Sequence, residues 1–335
     1  MSNTQKKNVP ELRFPEFEGE WEEKQLGNII KVNSGKDYKH LDKGDIPVYG
    51  TGGYMTSVSE PLSEIDAVGI GRKGTINKPY LLEAPFWTVD TLFYCTPKKE
   101  TDILFILSLF RKINWKVYDE STGVPSLSKQ TINKINRFVP TNKEQQKIGK
   151  FFSKLDRQIE LEEQKLELLQ QQKKGYMQKI FSQELRFKDE NGNDYPDWTN
   201  ERLGEVTTVT MGQSPKSVNY TDNSNDTVLI QGNADIENGL INPRIYTREV
   251  TKLIQKDEII LTVRAPVGKL AMAQINACIG RGVCSIKGDK FLYYFLEWFA
   301  TQNKWIRFSQ GSTFESISGN DIRNIHIKIP VEDER

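Results

Sequence analysis

The clearest pattern along the chain is a stripe of hydrophobic positions between residues 143 and 181. Apolar side chains recur there at alternating intervals of four and three residues, which is the a/d spacing of a coiled coil. Two polar residues, Glu162 and Lys173, interrupt the stripe. Its apolar members are Ile148, Phe152, Leu155, Ile159, Leu166, Leu169, Tyr176 and Ile180. At a rise of about 1.5 Å per residue the predicted helix is about 57 Å long. Because a single helix leaves such a stripe in water, the pattern also predicts a partner helix.

Elsewhere, short runs of β-branched and aromatic residues alternate with Gly, Asn and Pro, which is typical of short strands joined by turns. The predicted strands are 45–49, 65–70, 227–230, 258–263 and 325–329. Two longer segments, 102–115 and 290–308, space Phe, Leu and Trp as amphipathic helices do. Each half of the chain is therefore expected to be an α+β globule.

The chain also repeats itself. The residues that open the first copy, Leu12-Arg13-Phe14, Trp21 and Leu26-Gly27, return as Leu185-Arg186-Phe187, Trp198 and Leu203-Gly204. The residues that close it, Ser126-Leu127-Ser128, Ile132, Ile135, Pro140 and Glu144, return as Ser316-Ile317-Ser318, Ile322, Ile325, Pro330 and Glu334. From the tryptophan onward the opening residues keep a constant offset of 177, and the closing residues keep one of 190. The interiors differ, which indicates one scaffold carrying two different binding surfaces.

These patterns predict an α+β fold class, with two similar domains separated by a long coiled-coil-type helix. The expected divisions are a polar tail at 1–11, a first domain at 12–142, the helix at 143–182 and a second domain at 183–330. Residues 331–335 would begin a second helix.

Composition narrows the class of protein. The net charge is +1, and basic and acidic residues nearly balance in each half, so a DNA-binding face would have to come from local clustering. With no apolar run of membrane-spanning length and no apolar leader, neither a membrane span nor a secretory signal is expected. Only Cys95, Cys278 and Cys284 occur, without CxxC spacing. Such cysteine usage favours the cytoplasm over an oxidising compartment.

The sequence lacks the parts of the common catalytic sites. Its only histidines, His40 and His326, are too few for a histidine metal cluster and too far apart for a histidine-based triad. Neither a Walker A motif nor the Asn/Asp-Pro-Pro-Tyr/Phe motif of adenine methyltransferases is present. Gly69-Ile70-Gly71-Arg72-Lys73-Gly74 matches GxGxxG, but residues 75–79 do not form the helix that a dinucleotide site requires. We therefore expect no catalytic residue, no metal and no cofactor in this chain.

The same glycine-rich loop is better suited to nucleic acid. It follows a predicted strand and carries basic side chains, and a comparable basic loop follows a strand in the second half. Arg and Lys can bind phosphates or guanine edges, and Gln or Asn can bind adenine. The candidate DNA-binding residues are Lys36, Arg72, Lys73, Lys78, Gln213, Ser214, Gln231, Arg244, Arg264 and Lys269.

Several short sequences together are characteristic of one family. They are 154–159 and 170–175 in the helix, 71–74 and 86–91 in the first domain, and 212–215, 231–235 and 311–314 in the second. With the duplicated frames, they make the chain resemble the specificity subunits of Type I restriction-modification enzymes. The resemblance covers nearly the whole chain.

The resemblance implies that each domain is a target-recognition domain that reads one half of a bipartite site in double-stranded DNA. The helix would set the spacer between the halves. Two modification subunits, which are adenine methyltransferases, would dock on the helix and bring S-adenosylmethionine, and restriction subunits would bring ATP- and Mg-dependent translocation and cleavage. Full-length members carry a second helix that pairs with the first. A second copy of this chain, pairing through the long helix, is therefore a further candidate partner.

Three other interpretations stay open from the residues alone. A DNA-binding regulator could use the helix to dimerise, without methylase partners. A structural coiled-coil adaptor would bind proteins only. A carboxylate-based hydrolase would need clustered acids with raised pKa values in a pocket. The duplication favours the regulator and the adaptor over the hydrolase, because two related readers suit a bipartite target.

Overall fold

The computed structural model describes residues 8–302, 304–305 and 316–335. The chain divides between Lys165 and Leu166 into two units, called unit 1 and unit 2 below. A single helix continues through this division. Within the described part of the chain, no helix is long and apolar enough to span a membrane.

Unit 1 is built from short strands and helices. In chain order these are β1 (Glu22–Gln25), α1 (Leu26–Ile29), β2 (Ile30–Ser34), β3 (Ile46–Gly50), β4 (Gly53–Val58), β5 (Ala67–Gly71), β6 (Tyr80–Leu82), β7 (Trp87–Thr88), β8 (Leu92–Pro97), α2 (Ile103–Lys112), α3 (Lys129–Lys134), β9 (Asn136–Val139) and α4 (Asn142–Phe181). A four-stranded sheet has the order β2-β8-β5-β6, a three-stranded sheet has the order β4-β3-β7, and β1 pairs with β9. The core lies between the four-stranded sheet and α2, because β5 is buried at every position and the apolar face of α2 covers it.

Unit 2 continues with β10 (Thr199–Arg202), α5 (Leu203–Val206), β11 (Val209–Met211), β12 (Tyr220–Thr221), β13 (Thr227–Ile230), β14 (Ile236–Glu237), β15 (Leu240–Ile241), β16 (Tyr246–Thr247), β17 (Leu253–Ile254), β18 (Ile259–Thr262), β19 (Leu270–Met272), β20 (Ala277–Ile279), β21 (Val283–Ile286), α6 (Lys290–Thr301), α7 (Gly319–Arg323) and β22 (His326–Ile329). Its sheets have the orders β11-β21-β18-β19-β15-β14, β12-β16-β13-β20-β17 and β10-β22. One apolar cluster lies under α6 and a second lies between the two larger sheets.

The two units share one topology. The order β2-β8-β5-β6 returns as β11-β21-β18-β19, and the parallel pair β3-β7 returns as β13-β20. The ribbon of β1 and β9 returns as β10 and β22, both antiparallel. The prediction of an α+β protein with two similar domains and a long helix between them is confirmed. The sheets of unit 2 have more strands, because β14 and β15 extend one sheet and β12 and β17 extend the other, in which β16 is the equivalent of β4.

The repeated frame residues form the same clamp in each unit. In unit 1, Arg13 donates two hydrogen bonds of 2.7 Å to the carboxylate of Glu144, and the Trp21 indole donates a third at 3.2 Å. In unit 2, Arg186 donates at 3.1 and 2.7 Å to Glu334, and the Trp198 indole donates at 3.0 Å. The side chain of each glutamate is only 1% exposed, so a bidentate arginine is needed to compensate its buried charge. The residues repeated in sequence therefore form, in each unit, the hydrogen-bond cluster that joins the start of the domain to its end.

The long helix α4 packs on unit 1 near its start and on unit 2 at its end. Near its start, Gly149 lies against α2, where a Cβ atom would come within 2.6 Å of Asp102. At its end, the Phe181 ring lies 5.7 Å from that of Phe295 in the core of unit 2. The predicted helix is confirmed from Asn142 to Phe181. Between these contacts the apolar stripe faces solvent, and its members from Phe152 to Tyr176 are 41–58% exposed.

Most predicted elements exist with small shifts of their ends, but the predicted helix 102–115 is shorter than expected. α2 ends at Lys112, because the buried Trp115 indole donates a 2.8 Å hydrogen bond to the Phe110 carbonyl and turns the chain. A 3-10 helix at Trp115–Tyr118 follows. The second predicted helix, 290–308, is observed as α6 from Lys290 to Thr301. Residues 303 and 306–308 lie outside the described part of the chain, as do 311–314.

Candidate nucleic-acid interface

The two predicted basic loops occupy the same place in the two units. Each loop leaves the third strand of the equivalent sheets, β5 or β18. In unit 1 the main-chain amide of Arg72 donates to the Thr91 carbonyl at 2.8 Å, and Lys73 pairs with Ser126 in an isolated antiparallel β-bridge. In unit 2 the amide of Val263 donates to the Gly282 carbonyl at 2.9 Å, and Arg264 bridges to Ser316. Lys73 and Arg264 are therefore structural equivalents.

A second pair of candidates is also equivalent. The amide of Lys36 donates to Thr88 at 2.8 Å, and the amide of Gln213 donates to Ile279 at 2.9 Å. In each case a glycine precedes, because a Cβ atom at Gly35 would lie 2.0 Å from a carbonyl oxygen, and one at Gly212 would lie 2.1 Å away. Close backbone packing thus fixes where both side chains leave the sheet.

In unit 2 the loops enclose a cleft of about 200 Å³. Its lining residues are Ser214, Gln231, Gly232, Asn233, Arg264, Ala265, Arg281 and Gly282. Three of the predicted residues, Ser214, Gln231 and Arg264, meet there. The structure adds Asn233 and Arg281, which sequence reasoning missed. The arginine stands between two glycines, Gly280 and Gly282, and that short pattern was the available signal.

The cleft is polar and its charge is positive. Within the described residues, the side chains of Gln231, Asn233, Arg264 and Arg281 make no hydrogen bond or ion pair with the protein. The turn that carries the side chains of Gln231 and Asn233 is held by Asp235. The buried carboxylate of Asp235 accepts hydrogen bonds from the main-chain amides of Gln231 at 2.8 Å and of Gly232 at 3.1 Å. Unpaired donors on a fixed backbone suit a ligand with acceptors at set positions, such as the edges of bases.

Two other predicted residues of unit 2 are engaged within the protein. The ammonium of Lys269 donates to the main-chain carbonyls of Ile236 at 2.6 Å and Asn233 at 3.3 Å. The Arg244 guanidinium is half-exposed and lies 4.0 Å from the carboxylate of Asp235. Lys269 therefore supports the turn of the cleft, whereas Arg244 lies beside that turn with most of its donors open to solvent.

Three candidates of unit 1, Arg72, Lys73 and Lys78, lie on the loop that follows β5, and Lys36 follows β2. The guanidinium of Arg72 lies 3.5 Å from the Asp90 carbonyl oxygen and 5.9 Å from the centre of the Phe93 ring. Lys73 and Lys78 are exposed on the turn that follows β5. That turn is not helical, so it lacks the helix N-terminus on which a dinucleotide site holds its pyrophosphate.

The described residues contain no group of three or more His, Cys, Asp or Glu side chains placed to hold a metal ion. The titratable groups with clear pKa shifts serve the fold. Hydrogen bonds from the Lys216 amide and the Asn219 side chain lower the pKa of Glu249. Burial raises the pKa of the Cys284 thiol to about 12. These groups lie outside the lining of the cleft.

Unit 1 also has a large apolar groove, of about 1430 Å³, beside the start of α4. Its aromatic lining residues are Phe14, Trp21, Phe105, Phe138, Phe151 and Phe152. The last three are 41–46% exposed, so the groove is a hydrophobic surface open to solvent. Several exposed aromatic side chains on one surface are typical of a protein–protein contact.

The fold and the site together define a protein with two homologous α+β domains, each with polar loops on the same strands, and a heptad helix between them. The model of the Type I restriction modification DNA specificity domain matches the chain twice, at residues 18–171 and 195–334. The chain belongs to this family.

Known relatives agree with this assignment. The chain is 29% identical over 248 residues to the putative type I restriction enzyme MjaX specificity subunit of Methanocaldococcus jannaschii. It is 26% identical over 260 residues to the MjaVIII specificity subunit of the same organism. Each match covers 70% of this chain and 58% of the relative's length. The S subunit of a Type I restriction-modification system from M. genitalium has the same fold, with a TM-score of 0.68, 15% identity, and coverage of 96% of this chain and 87% of that one.

Proposed function

We propose that the chain is the sequence-specific DNA-recognition subunit of a Type I restriction-modification complex, in which each unit reads one half of a bipartite site. The observation that carries this proposal is the equivalence of the two loop systems. The same strands present Lys36 and Lys73 in unit 1, and Gln213 and Arg264 in unit 2. One scaffold with different side chains is what two related readers of different half-sites require.

In this proposal the chain performs no chemistry. Two modification subunits, with bound S-adenosylmethionine, methylate an adenine in the site, and restriction subunits use ATP and Mg to translocate and cleave DNA. α4 sets the spacer, since its 40 residues span about 60 Å along the helix axis. The exposed seam of α4 and the apolar groove of unit 1 support the docking of protein partners.

The direct test is co-expression with an adenine methyltransferase subunit of a Type I system, followed by mapping of methylated adenines. We expect a bipartite motif. Arg72→Gln should relax the sequence requirement in one half of the motif, and Arg264→Gln should relax it in the other half. Equal relaxation of both halves by either variant would contradict the assignment of one reader to each unit.

One observation favours a second function, a DNA-binding regulator that dimerises through its helix. The seam of α4 is exposed between Phe152 and Tyr176, and a second copy of the chain could cover it. This regulator would bind its site as a dimer without methyltransferase. Sedimentation of the chain alone, and then with the methyltransferase subunit, separates the two functions, because a specificity subunit should bind the methyltransferase in preference to self-association.

A further inference from the structure

The turn between β20 and β21 of unit 2 has an equivalent between β7 and β8 of unit 1. In unit 2, Val283 donates to the Gly280 carbonyl at 3.2 Å. In unit 1, Leu92 donates to the Val89 carbonyl at 3.0 Å. In both turns the third residue also accepts a hydrogen bond from the neighbouring basic loop: the Gly282 carbonyl from the amide of Val263, and the Thr91 carbonyl from the amide of Arg72. Each turn has four residues, 280–283 in unit 2 and 89–92 in unit 1. The second residue is Arg281 in unit 2 and Asp90 in unit 1, so equivalent positions carry opposite charges.

The backbone around Arg281 is tightly held. The hydroxyl of Ser214 accepts the amide hydrogen of Arg281 at 3.0 Å. A Cβ atom at Gly282 would lie 1.9 Å from the carbonyl oxygen of Gln231, so only glycine allows this approach. The Arg281 side chain itself is exposed, lines the cleft, and has no partner among the described residues. A free guanidinium on a fixed backbone loses little conformational freedom on binding, which favours specific recognition.

The opposite charges indicate what this position contacts. A phosphate would be attracted by Arg281 and repelled by Asp90, so a phosphate contact cannot be common to both turns. A base edge can pair with a side chain of either charge. Guanine offers two hydrogen-bond acceptors, O6 and N7, whereas cytosine offers an N4 donor. A guanidinium is donor-only and an ionised carboxylate is acceptor-only.

On the basis of the proposed function, we infer that this turn is a base-selecting position in each unit, beside the basic loops. Arg281 selects guanine in the half-site of unit 2, and Asp90 selects cytosine in the half-site of unit 1. The neighbouring amides of Gln231 and Asn233 lie in the same cleft as Arg281 and are suited to an adjacent adenine.

The test is selection of DNA from a randomised duplex library by the full chain and its variants, each co-expressed with the modification subunit. Wild-type protein should enrich a bipartite motif with guanine at one position of one half and cytosine at one position of the other. Arg281→Gln should reduce that guanine preference about 5- to 150-fold and shift it toward adenine, without changing the other half. Asp90→Asn should relax only the cytosine. Arg202→Gln, which removes an exposed arginine of β10 outside the cleft, is the matched control and should change neither half.

Three results would overturn the inference. If Arg281→Gln enriched the same motif as the wild-type protein, the arginine would not contact a base. Uniform loss of binding to all sequences, with a weaker salt dependence, would show a phosphate contact. Absence of any enriched motif with wild-type protein would instead contradict the proposed function, and the inference with it. Thermal unfolding of each variant should match wild type, because the side chains of Arg281 and Asp90 have no hydrogen-bond or ion-pair partner among the residues that the structure describes.

Discussion

The buried carboxylate of Asp235 supports the cleft of unit 2, and its removal should loosen the loop that carries Gln231 and Asn233. Asp235 is 6% exposed and accepts two main-chain amides at 2.8 and 3.1 Å. In Asp235→Ala both amides lose their acceptor. Because these amides belong to the turn that lines the cleft, the change should affect local stability and DNA selection together.

The size of the effect follows from the two hydrogen bonds. A bond to a charged acceptor contributes about 1.5–3 kcal/mol, so two contribute about 3–6 kcal/mol. Gln231 and Gly232 are only partly buried, and water can replace part of each bond. We therefore expect Asp235→Ala to lower the free energy of unfolding of unit 2 by about 2–4 kcal/mol. Asp235→Asn, which keeps an acceptor oxygen without the charge, should lose about half as much.

Urea unfolding gives the overall change, and hydrogen exchange of peptides from 228–240 locates it. Asp222→Ala is the matched control, because Asp222 is an exposed aspartate of the same unit, and its loss should fall within about 0.5 kcal/mol of wild type. Similar stability of Asp235→Ala and Asp222→Ala, with unchanged exchange in 228–240, would refute the supporting role of the carboxylate.

Three shorter predictions follow from the same contacts. Lys269→Met should lower the free energy of unfolding by about 1–3 kcal/mol while leaving the salt dependence of DNA binding unchanged, and a slope reduced by about one unit would instead show a phosphate contact. Leu166→Asp combined with Leu169→Asp should leave folding intact but abolish co-purification with a modification subunit, unlike the polar control Gln170→Asp; retained co-purification would exclude the seam as a docking surface. Because burial raises the pKa of Cys284 to about 12, iodoacetamide at pH 8 should label this thiol only after unfolding, and mass spectrometry of native protein would reveal any early labelling.

Local patterns were sufficient for the elements of this fold and for much of its plan. The heptad spacing located α4 because a helix repeats every 3.6 residues whatever surrounds it. The short strands β12, β14, β15, β16 and β17 were not predicted, since each has only two residues. β12, β16 and β17 pair only with strands distant in sequence, whereas β14 and β15 form a hairpin around Asn238-Gly239. The early end of α2 was missed for a different reason, because the spacing of apolar residues does not show that the Trp115 indole donates a hydrogen bond to the Phe110 carbonyl, five residues earlier.

The sequence by itself determined the duplication, the long helix, and the positions of the basic loops, since repeats, heptads and glycine-rich turns are properties of neighbouring residues. Only the tertiary structure decided which polar side chains meet. Ser214 and Arg281, 67 residues apart, are joined by one hydrogen bond, and Lys269 is turned inward to hold a distant turn. Such assignments depend on where β-strands from separate segments pair, and no local spacing specifies that pairing.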